Sequence, residues 1–572
     1  MPDPGELGGP GNPGDSGNLG ELIATHAALL DLATGATRAR TYFTAFAESP
    51  STRIWGDTAP ALGKAAFDAL LGQPFALEVP GTVGRVAPEQ SPYGLGLGIT
   101  YPHLLAAGVD ALVEAAKRGL PGWRDAGPAA RTAIALEMVT RINARSFEFA
   151  HAVMHTTGQA FVMAFQAGGA HAHERALEAI AYANAAMSQV PASVAWEKPR
   201  SKGEPQRMAK TFTIVPRGVA LVIGCTTFPT WNSYPGLFAS LVTGNPVVVK
   251  PHPHAVLPLA LTVAVARDVL SEYGFDADLV TLAVDDVGEG LASTLATHRD
   301  VHIIDFTGSS TYGEWLEQHA TQARVFTEKS GVNCVVIDST DDLDGLAANL
   351  AYSLALYSGQ MCTTPQTILI PRGGITSDHG HQTADDIVAA IGAALNELLA
   401  DPLHAVNMLG AIVDDTVLDR LNAAAKSADV VIASRAVEHP DFPAARVRTP
   451  LVVRSDDESA YAHECFGPVA FVVETEDTGD SLDRWRRITI ERGALTASIY
   501  STDADVLALA ESVALDCGVS TSLNLTGDIY VNQTAAFSDY HGTGANKAAN
   551  SSLTDLAFVA DRFRIVESRR PR

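Results

Sequence analysis

The sequence predicts an α/β protein built on doubly wound parallel sheets, and three observations carry that expectation. From about Met208 onward, short and nearly continuous β-branched runs recur, bounded by Gly, Pro or Asp. Such strands are apolar on both faces and belong inside a covered sheet. Helix-period stretches lie between most of them, the alternation that parallel crossover units require. A chain of 572 residues with 47% hydrophobic content can bury several cores and divide into about two to four domains.

Residues 1–20 are Gly/Pro-rich and acidic, without the basic and apolar segments of a signal peptide, and are expected to form a disordered leader. From residue 18 to about 190, ELIATHAALLDLA, ALVEAAKRGL, RTAIALEMVTRINARSFEFAHAVMHTTGQ and ERALEAIAYANAAMSQV repeat apolar positions at i, i+3 and i+4, so scaffold helices are expected. YGLGLGITYP between them reads as a Gly-rich loop or irregular extended segment. The first predicted strands are 212–215 (FTIV), 218–223 (GVALVI), 246–249 (PVVV), 279–282 (LVTL) and 301–306 (VHIIDF). A second α/β unit begins at about residue 340, with NCVVID, TILIP, VVIAS, TPLVV, VAFVVE, ASIYS and IYVN as its strands.

Composition narrows the chemistry. Five cysteines, Cys225, Cys334, Cys362, Cys465 and Cys517, are odd in number and scattered without CxxC spacing. Neither a disulfide framework nor a metal cluster is indicated, and a reducing cytoplasm fits. No run of about 18 apolar residues predicts a membrane span. A net charge of -25 argues against a nucleic-acid partner, which needs a basic face to displace counterions, while leaving room for a local phosphate pocket.

Three stretches carry chemistry. LYSGQMCTT, residues 356–364, places Cys362 in a Gly-Gln-X-Cys turn followed by small hydroxylated residues, as an exposed nucleophilic thiol requires. A lone cysteine is by default a core residue, so its neighbours decide the matter. PVVVK ends a buried strand in Lys250, whose ammonium can meet ribose hydroxyls or a phosphate, unless it is an ordinary strand-end charge. In DFTGSSTYGEWLEQHA a strand ends in Phe306-Thr307-Gly308-Ser309 and a helix begins. Gly308 permits close backbone approach and the helix N-terminus can hold a pyrophosphate, with plain capping as the alternative.

Together with Glu328 and a later ECFGPV segment, these pieces stand in an order that resembles the NAD(P)-dependent aldehyde dehydrogenase superfamily over roughly residues 123–532. Glu328 precedes Cys362 by 34 residues, the spacing of general base and nucleophile in that family. The resemblance implies an aldehyde dehydrogenase-like fold: a Rossmann-type cofactor domain, an α/β catalytic domain and a small oligomerisation element. It divides the chain into a helical N-terminal region and NAD(P)-binding domain (21–340, with an oligomerisation excursion at about 192–215), a catalytic domain (341–530) and a C-terminal oligomerisation segment and tail (531–572). It implies Cys362 as nucleophile and Glu328 as general base, with Gly331 and Asn333 matching family positions nearby. Lys250 falls at the adenosine ribose, Gly308, Ser309 and Gly313 along the pyrophosphate, and Glu464 and Phe466 at the nicotinamide ribose. PRGVALVIGCTTFP, residues 216–229, resembles the strand and loop of the substrate and oxyanion site. The implied reaction is thiolate addition to an aldehyde, hydride transfer, and hydrolysis of the resulting thioester by water that Glu328 activates, with no metal. CoA-acylating relatives typically lack this base, so Glu328 favours hydrolysis.

Two departures alter the expectations. Thr227 stands where the family has its oxyanion asparagine, and Asn232, five residues on, either faces the following helix or swings into the site. Pro253 stands where NAD-preferring relatives often carry a ribose-binding glutamate; with His252 and His254 as possible phosphate donors, the expectation leans to NADP, with NAD open. The C-terminal segment lacks the family's PFGGxKxSG pattern and, with the helical N-terminal region and the PHPH loop, is similar to the PaaN-type phenylacetate-degradation branch. That likeness implies a CoA-linked substrate, 3-oxo-5,6-dehydrosuberyl-CoA semialdehyde. A homodimer or homotetramer is expected from the superfamily. A CoA-acylating dehydrogenase and a catalytically silent relative with a binding role are the alternatives.

Overall fold

The computed structural model describes residues 18–427, 429–530 and 553–572. The first helix, Leu19–Ala39, begins inside the expected leader because Asn18 caps it, its side chain accepting from the Gly20 and Glu21 amides. The remaining leader, 1–17, and residues 531–552 of the expected C-terminal segment lie outside the described residues.

A five-stranded parallel sheet organises the first half, in the spatial order Val280–Leu282, Val247–Lys250, Val219–Ile223, Val301–Gly308, Arg324–Lys329. The chain enters at the central strand, winds outward two strands on one side, then returns to build the other side. The switch of direction lies between Val219–Ile223 and Val301–Gly308, and a crevice opens there beyond the carboxyl ends. Helices Gly127–Ala144, His171–Met187, Pro229–Val242 and Leu257–Glu272 bury residues in the same core as these strands.

Two expectations are corrected here. Residues 212–215 belong to Gln206–Pro216, a strand of a separate antiparallel sheet between Ser193–Lys198 and Phe563–Pro571. Most of its side chains are exposed or half-buried, so among the described residues this sheet is not enclosed by helices as the parallel sheet is. The parallel sheet instead takes Arg324–Lys329 as its fifth strand, whose charged ends concealed it in the sequence. The antiparallel sheet thus joins the excursion at about 192–215 to the chain's end. Arg562, fully buried, anchors that end: its guanidinium lies 2.5 and 2.7 Å from the Asp305 carboxylate oxygens and 2.7 Å from Ser240 Oγ, against the Phe326 and Phe558 rings.

Among the described residues the second sheet has seven strands, in the order Asp429–Ile432, Leu451–Arg454, Val469–Thr475, Thr367–Pro371, Cys334–Ile337, Thr496–Tyr500, Ser520–Leu523. All run parallel except the first. Alternate residues feed two cores: Val335, Ile337, Ile368 and Ile370 one, and Cys334, Val336, Leu369 and Val473 the other. That explains the unbroken apolar runs. This sheet starts at Cys334, before the boundary expected at 340/341, because Cys334–Ile337 pairs with Thr367–Pro371. Its last strand is Ser520–Leu523; residues 529 and 530 of the expected IYVN strand carry no strand, and 531–532 lie outside the described residues. The polar STSL pattern of a sheet edge had hidden the true strand. No single helix among the described residues is long and apolar enough to cross a membrane.

Candidate active site

The carboxyl edge of the first sheet faces the amino edge of the second. Register places Ile223 beside both Lys250 and Phe306, and Thr307 beside Glu328. Across the cleft, Cys362 lies just before Thr367–Pro371 and Glu464 just before Val469–Thr475. Asn333 clamps this edge: its Nδ2 donates to the carbonyls of Cys362 (2.8 Å) and Thr364 (3.0 Å), and its Oδ1 accepts from the amides of Leu495 (3.0 Å) and Thr496 (3.2 Å). Gln366, which sequence reasoning missed, ties the two loops together by accepting from the Cys465 amide (2.9 Å) and donating to the His463 carbonyl.

The turn leading to Cys362 is strained. Tyr357, Ser358 and Gly359 are consecutively left-handed, with φ of 51°, 50° and 64°. Two non-glycine residues there cost about 1–2 kcal/mol each and must be held. Tyr357 Oη donates to the Thr157 carbonyl, and Ser358 Oγ sits 3.0 Å from the carbonyls of Leu409 and Arg448. The Gln360 amide lies 3.1 Å from the carbonyls of Tyr357 and Ala411, while its oxygen accepts from the Val413 amide at 2.9 Å. A Cβ on Gly359 would lie 2.4 Å from the Gly467 carbonyl oxygen, so glycine alone lets the Cys362 turn seat against the Cys-Phe-Gly turn.

Cys362 is half-buried and its thiol hydrogen-bonds to Glu328, which is 2% exposed. Burial first, then the Glu328 charge, pushes the thiol well above its ordinary range, with smaller contributions from Cys225 and Glu464. Glu464 accepts from Ser330 and from the Gly331 amide, yet burial pushes its carboxyl up to about 7. Arg420 Nε donates to the Phe466 carbonyl at 3.0 Å and fixes that loop.

Thr227 is at the site, but its hydroxyl hydrogen-bonds to the sulfur of Cys225 and its carbonyl accepts from Gln159 Nε2 at 2.7 Å. Asn232 turns back onto the same loop, its Nδ2 3.3 Å from Cys225 Sγ. Cys225 is therefore a second thiol in the site; its only signal in the sequence was its place in the Gly224-Cys225-Thr226-Thr227 loop.

The other end of the cleft holds Lys250, 4% exposed and 2.6 Å from Oδ1 of Asp285, a residue sequence reasoning did not single out. Burial lowers the Lys250 ammonium and Asp285 opposes the shift. Burial pushes His252 down to about 3, so its ring is neutral, and its Nδ1 accepts from the His254 amide at 3.2 Å. Ser309 caps the helix Ser310–His319, accepting from the Tyr312 amide at 3.4 Å. A Cβ on Gly308 would lie 2.7 Å from the Phe306 ring, and one on Gly313 2.6 Å from Lys329 Cγ. Both glycines thus answer to packing while keeping the backbone here bare. A capped helix N-terminus at the switch point, a buried lysine–carboxylate pair on one side and an acid loop opposite form a donor set that fits a dinucleotide.

Such a sheet edge, facing a thiol hydrogen-bonded to a buried carboxylate, defines an NAD(P)-dependent oxidoreductase. The chain belongs to the aldehyde dehydrogenase family, whose sequence profile matches residues 86–551. It is similar to the crystal structure of an NAD-dependent aldehyde dehydrogenase from Burkholderia multivorans, at 52% identity and a TM-score of 0.93, covering 96% of this chain and 99% of that one. The N-succinylglutamate 5-semialdehyde dehydrogenase of Burkholderia multivorans is 27% identical over 415 residues, 70% of this chain and 77% of its own. A Thermus 1-pyrroline-5-carboxylate dehydrogenase with bound NAD, 17% identical with a TM-score of 0.71 over 93% of this chain and 99% of that one, shares the fold. The protein is an NAD(P)-dependent aldehyde dehydrogenase that oxidises an aldehyde with NAD or NADP.

Proposed function

We propose that Cys362 and Glu328 carry the oxidation of a semialdehyde to its carboxylic acid. The single observation supporting this is their hydrogen bond within a buried cleft. Glu328 takes the thiol proton, and the sulfur adds to the aldehyde carbon to give a thiohemiacetal whose oxygen carries the developing charge. The bound nicotinamide supplies the two-electron hydride acceptor. With the carbon oxidised, Cys362 holds an acyl thioester. Glu328 passes that first proton to solvent and then draws another from water as the water oxygen adds to the acyl carbon; the C–S bond breaks as this second proton passes to sulfur, releasing the acid and regenerating the thiol. The Cys362 amide and the Thr227 hydroxyl serve the oxyanion, the hydroxyl turning from Cys225 to do so; losing such a donor costs about 100- to 1000-fold in rate. Lys250, His252, Gly308, Ser309 and Gly313 line the adenosine and pyrophosphate end, and Glu464 and Phe466 the nicotinamide ribose.

The substrate reading is 3-oxo-5,6-dehydrosuberyl-CoA semialdehyde, formed by ring opening in phenylacetate catabolism, and it is supported by the likeness of the C-terminal segment and the PHPH loop. A second reading, N-succinylglutamate 5-semialdehyde, is favoured by the names of relatives at 26–27% identity. The enzyme works as a cytoplasmic homodimer or homotetramer assembled through the three-stranded antiparallel sheet. Oxidising both semialdehydes with and without added CoA tests the reading. Free acid from the CoA-linked compound supports it; acyl-CoA as product sinks the hydrolytic mechanism, and turnover of only the succinylglutamate compound moves the substrate to the second reading. Sedimentation checks the assembly.

A further inference from the structure

We infer that Asp285 makes this enzyme select NAD over NADP, accepting a hydrogen bond from the adenosine ribose 2'-hydroxyl and repelling a 2'-phosphate. The inference rests on Lys250 marking the adenosine-ribose position. Val249 pairs with Leu282 in adjacent parallel strands, so Lys250, ending one, and Asp285, just past the other, emerge side by side at the carboxyl edge. Both are 4% exposed, and Lys250 Nζ lies 2.6 Å from Asp285 Oδ1. The Leu291 amide lies 3.3 Å from Asp285 Oδ2 and donates to it, which fixes the carboxylate's rotation. The family's ribose glutamate has no counterpart at Pro253, yet a carboxylate reaches the same lysine from the neighbouring strand.

The consequence is electrostatic. Lys250 is already neutralised by Asp285, so it offers a 2'-phosphate no uncompensated charge. The phosphate would bring about two negative charges to a desolvated carboxylate, where like charges repel far more strongly than in water. The remaining neighbours do not rescue it. His252 is neutral and held by the His254 amide, and Asp414 faces it with further negative charge. Tyr312, whose hydroxyl lies 3.2 Å from Ser293 Oγ, flanks Asp285 as a neutral phenol. A ribose 2'-hydroxyl, by contrast, supplies the donor that a carboxylate accepts.

Calorimetric titration of the full-length protein with NAD, NADP and 2'-deoxy-NAD tests this without turnover. The wild type is expected to bind NAD about 10- to 100-fold tighter than either NADP or 2'-deoxy-NAD, the value of one hydrogen bond to a charged group. Asp285→Asn and Asp285→Ser should each compress the NAD:NADP ratio about tenfold or more, mainly by tighter NADP binding as Lys250 is freed. Equal wild-type affinity for NAD and NADP, or a ratio unchanged in both variants, overturns the assignment. Should the variants not fold, the wild-type comparison of NAD with 2'-deoxy-NAD decides, and no difference overturns it. Failure of the underlying reading looks different: Lys250→Met would then leave affinity for both dinucleotides untouched.

Discussion

At one end of the cleft Lys250 and Asp285 lie 2.6 Å apart, each neutralising the other. At the other end Glu328 raises the proton affinity of both Cys362 and Glu464, and Glu464 adds to that of Cys362. The first arrangement is settled: opposite charges leave water together and ask only for a ligand that respects the pairing. The second is not compensated in this way: two carboxyls face the thiol, Arg420 offsets only part of the Glu464 shift, and the thiol retains its proton until chemistry removes it. On the proposed assignment, binding is built from compensated charge and reaction from acidity that is compensated only in part, on facing edges of two sheets.

The contrast breaks first at Cys362. Cys362→Ala should lower aldehyde oxidation by about 10,000-fold or more while leaving NAD affinity unchanged, read by steady-state NAD(P)H absorbance and by calorimetry. Glu328→Gln follows, with turnover reduced by about 100- to 10,000-fold. It also makes a signed prediction. Because the Glu328 charge raises the thiol, its removal should move the pH midpoint of Cys362 alkylation by iodoacetamide downward. An upward move would mean that Glu328 does not act on that thiol.

The reaction end was more legible in the sequence than the binding end, for a physical reason. Cys362 and Glu464 sit in loops just before strands and Glu328 near the end of Arg324–Lys329, and their order and spacing along the chain are what the family resemblance reads. Asp285 acts on Lys250 across two strands and a connecting helix, so no local pattern announces it. The same holds for Gln366, whose partners come from the distant loop at His463 and Cys465, and for the effect of Cys225 on Cys362. Among the strands, those buried on both faces were readable as apolar runs, whereas Arg324–Lys329 and Ser520–Leu523, on sheet edges, carry polar residues that mask them. The strand Gln206–Pro216 shows the reverse error: its inner residues resemble a core run, but its partners are Ser193–Lys198 and the distant Phe563–Pro571.

Asn333 sharpens the comparison from the side of position instead of charge. Asn333→Ala removes a donor to two carbonyls of the Cys362 loop and an acceptor for two amides. About 1–3 kcal/mol of stability should be lost, with kcat down about 10- to 100-fold as the thiol drifts from its place. NAD affinity, set at the far end, should not move; denaturant titration, kinetics and calorimetry separate the three.

The smallest expected effect concerns Glu464 and the pH dependence of stability. Its carboxyl stands at about 7 in the fold against an ordinary 4.5, so the folded state holds its proton more tightly than the unfolded chain does. Stabilisation from that bound proton is fully present below about pH 4.5 and is lost as pH rises through about 7. Glu464→Gln, which keeps the shape without the charge, should match the wild type's thermal midpoint near pH 4.5 and exceed it progressively toward pH 8. Glu89 and Glu174, also raised to about 7, follow the same sign but remain in both proteins and cancel in the difference. A constant difference between the two midpoints over this range would show that the Glu464 carboxylate is accommodated in the folded cleft as readily as in water, and that the acid-rich end is less strained than its geometry indicates.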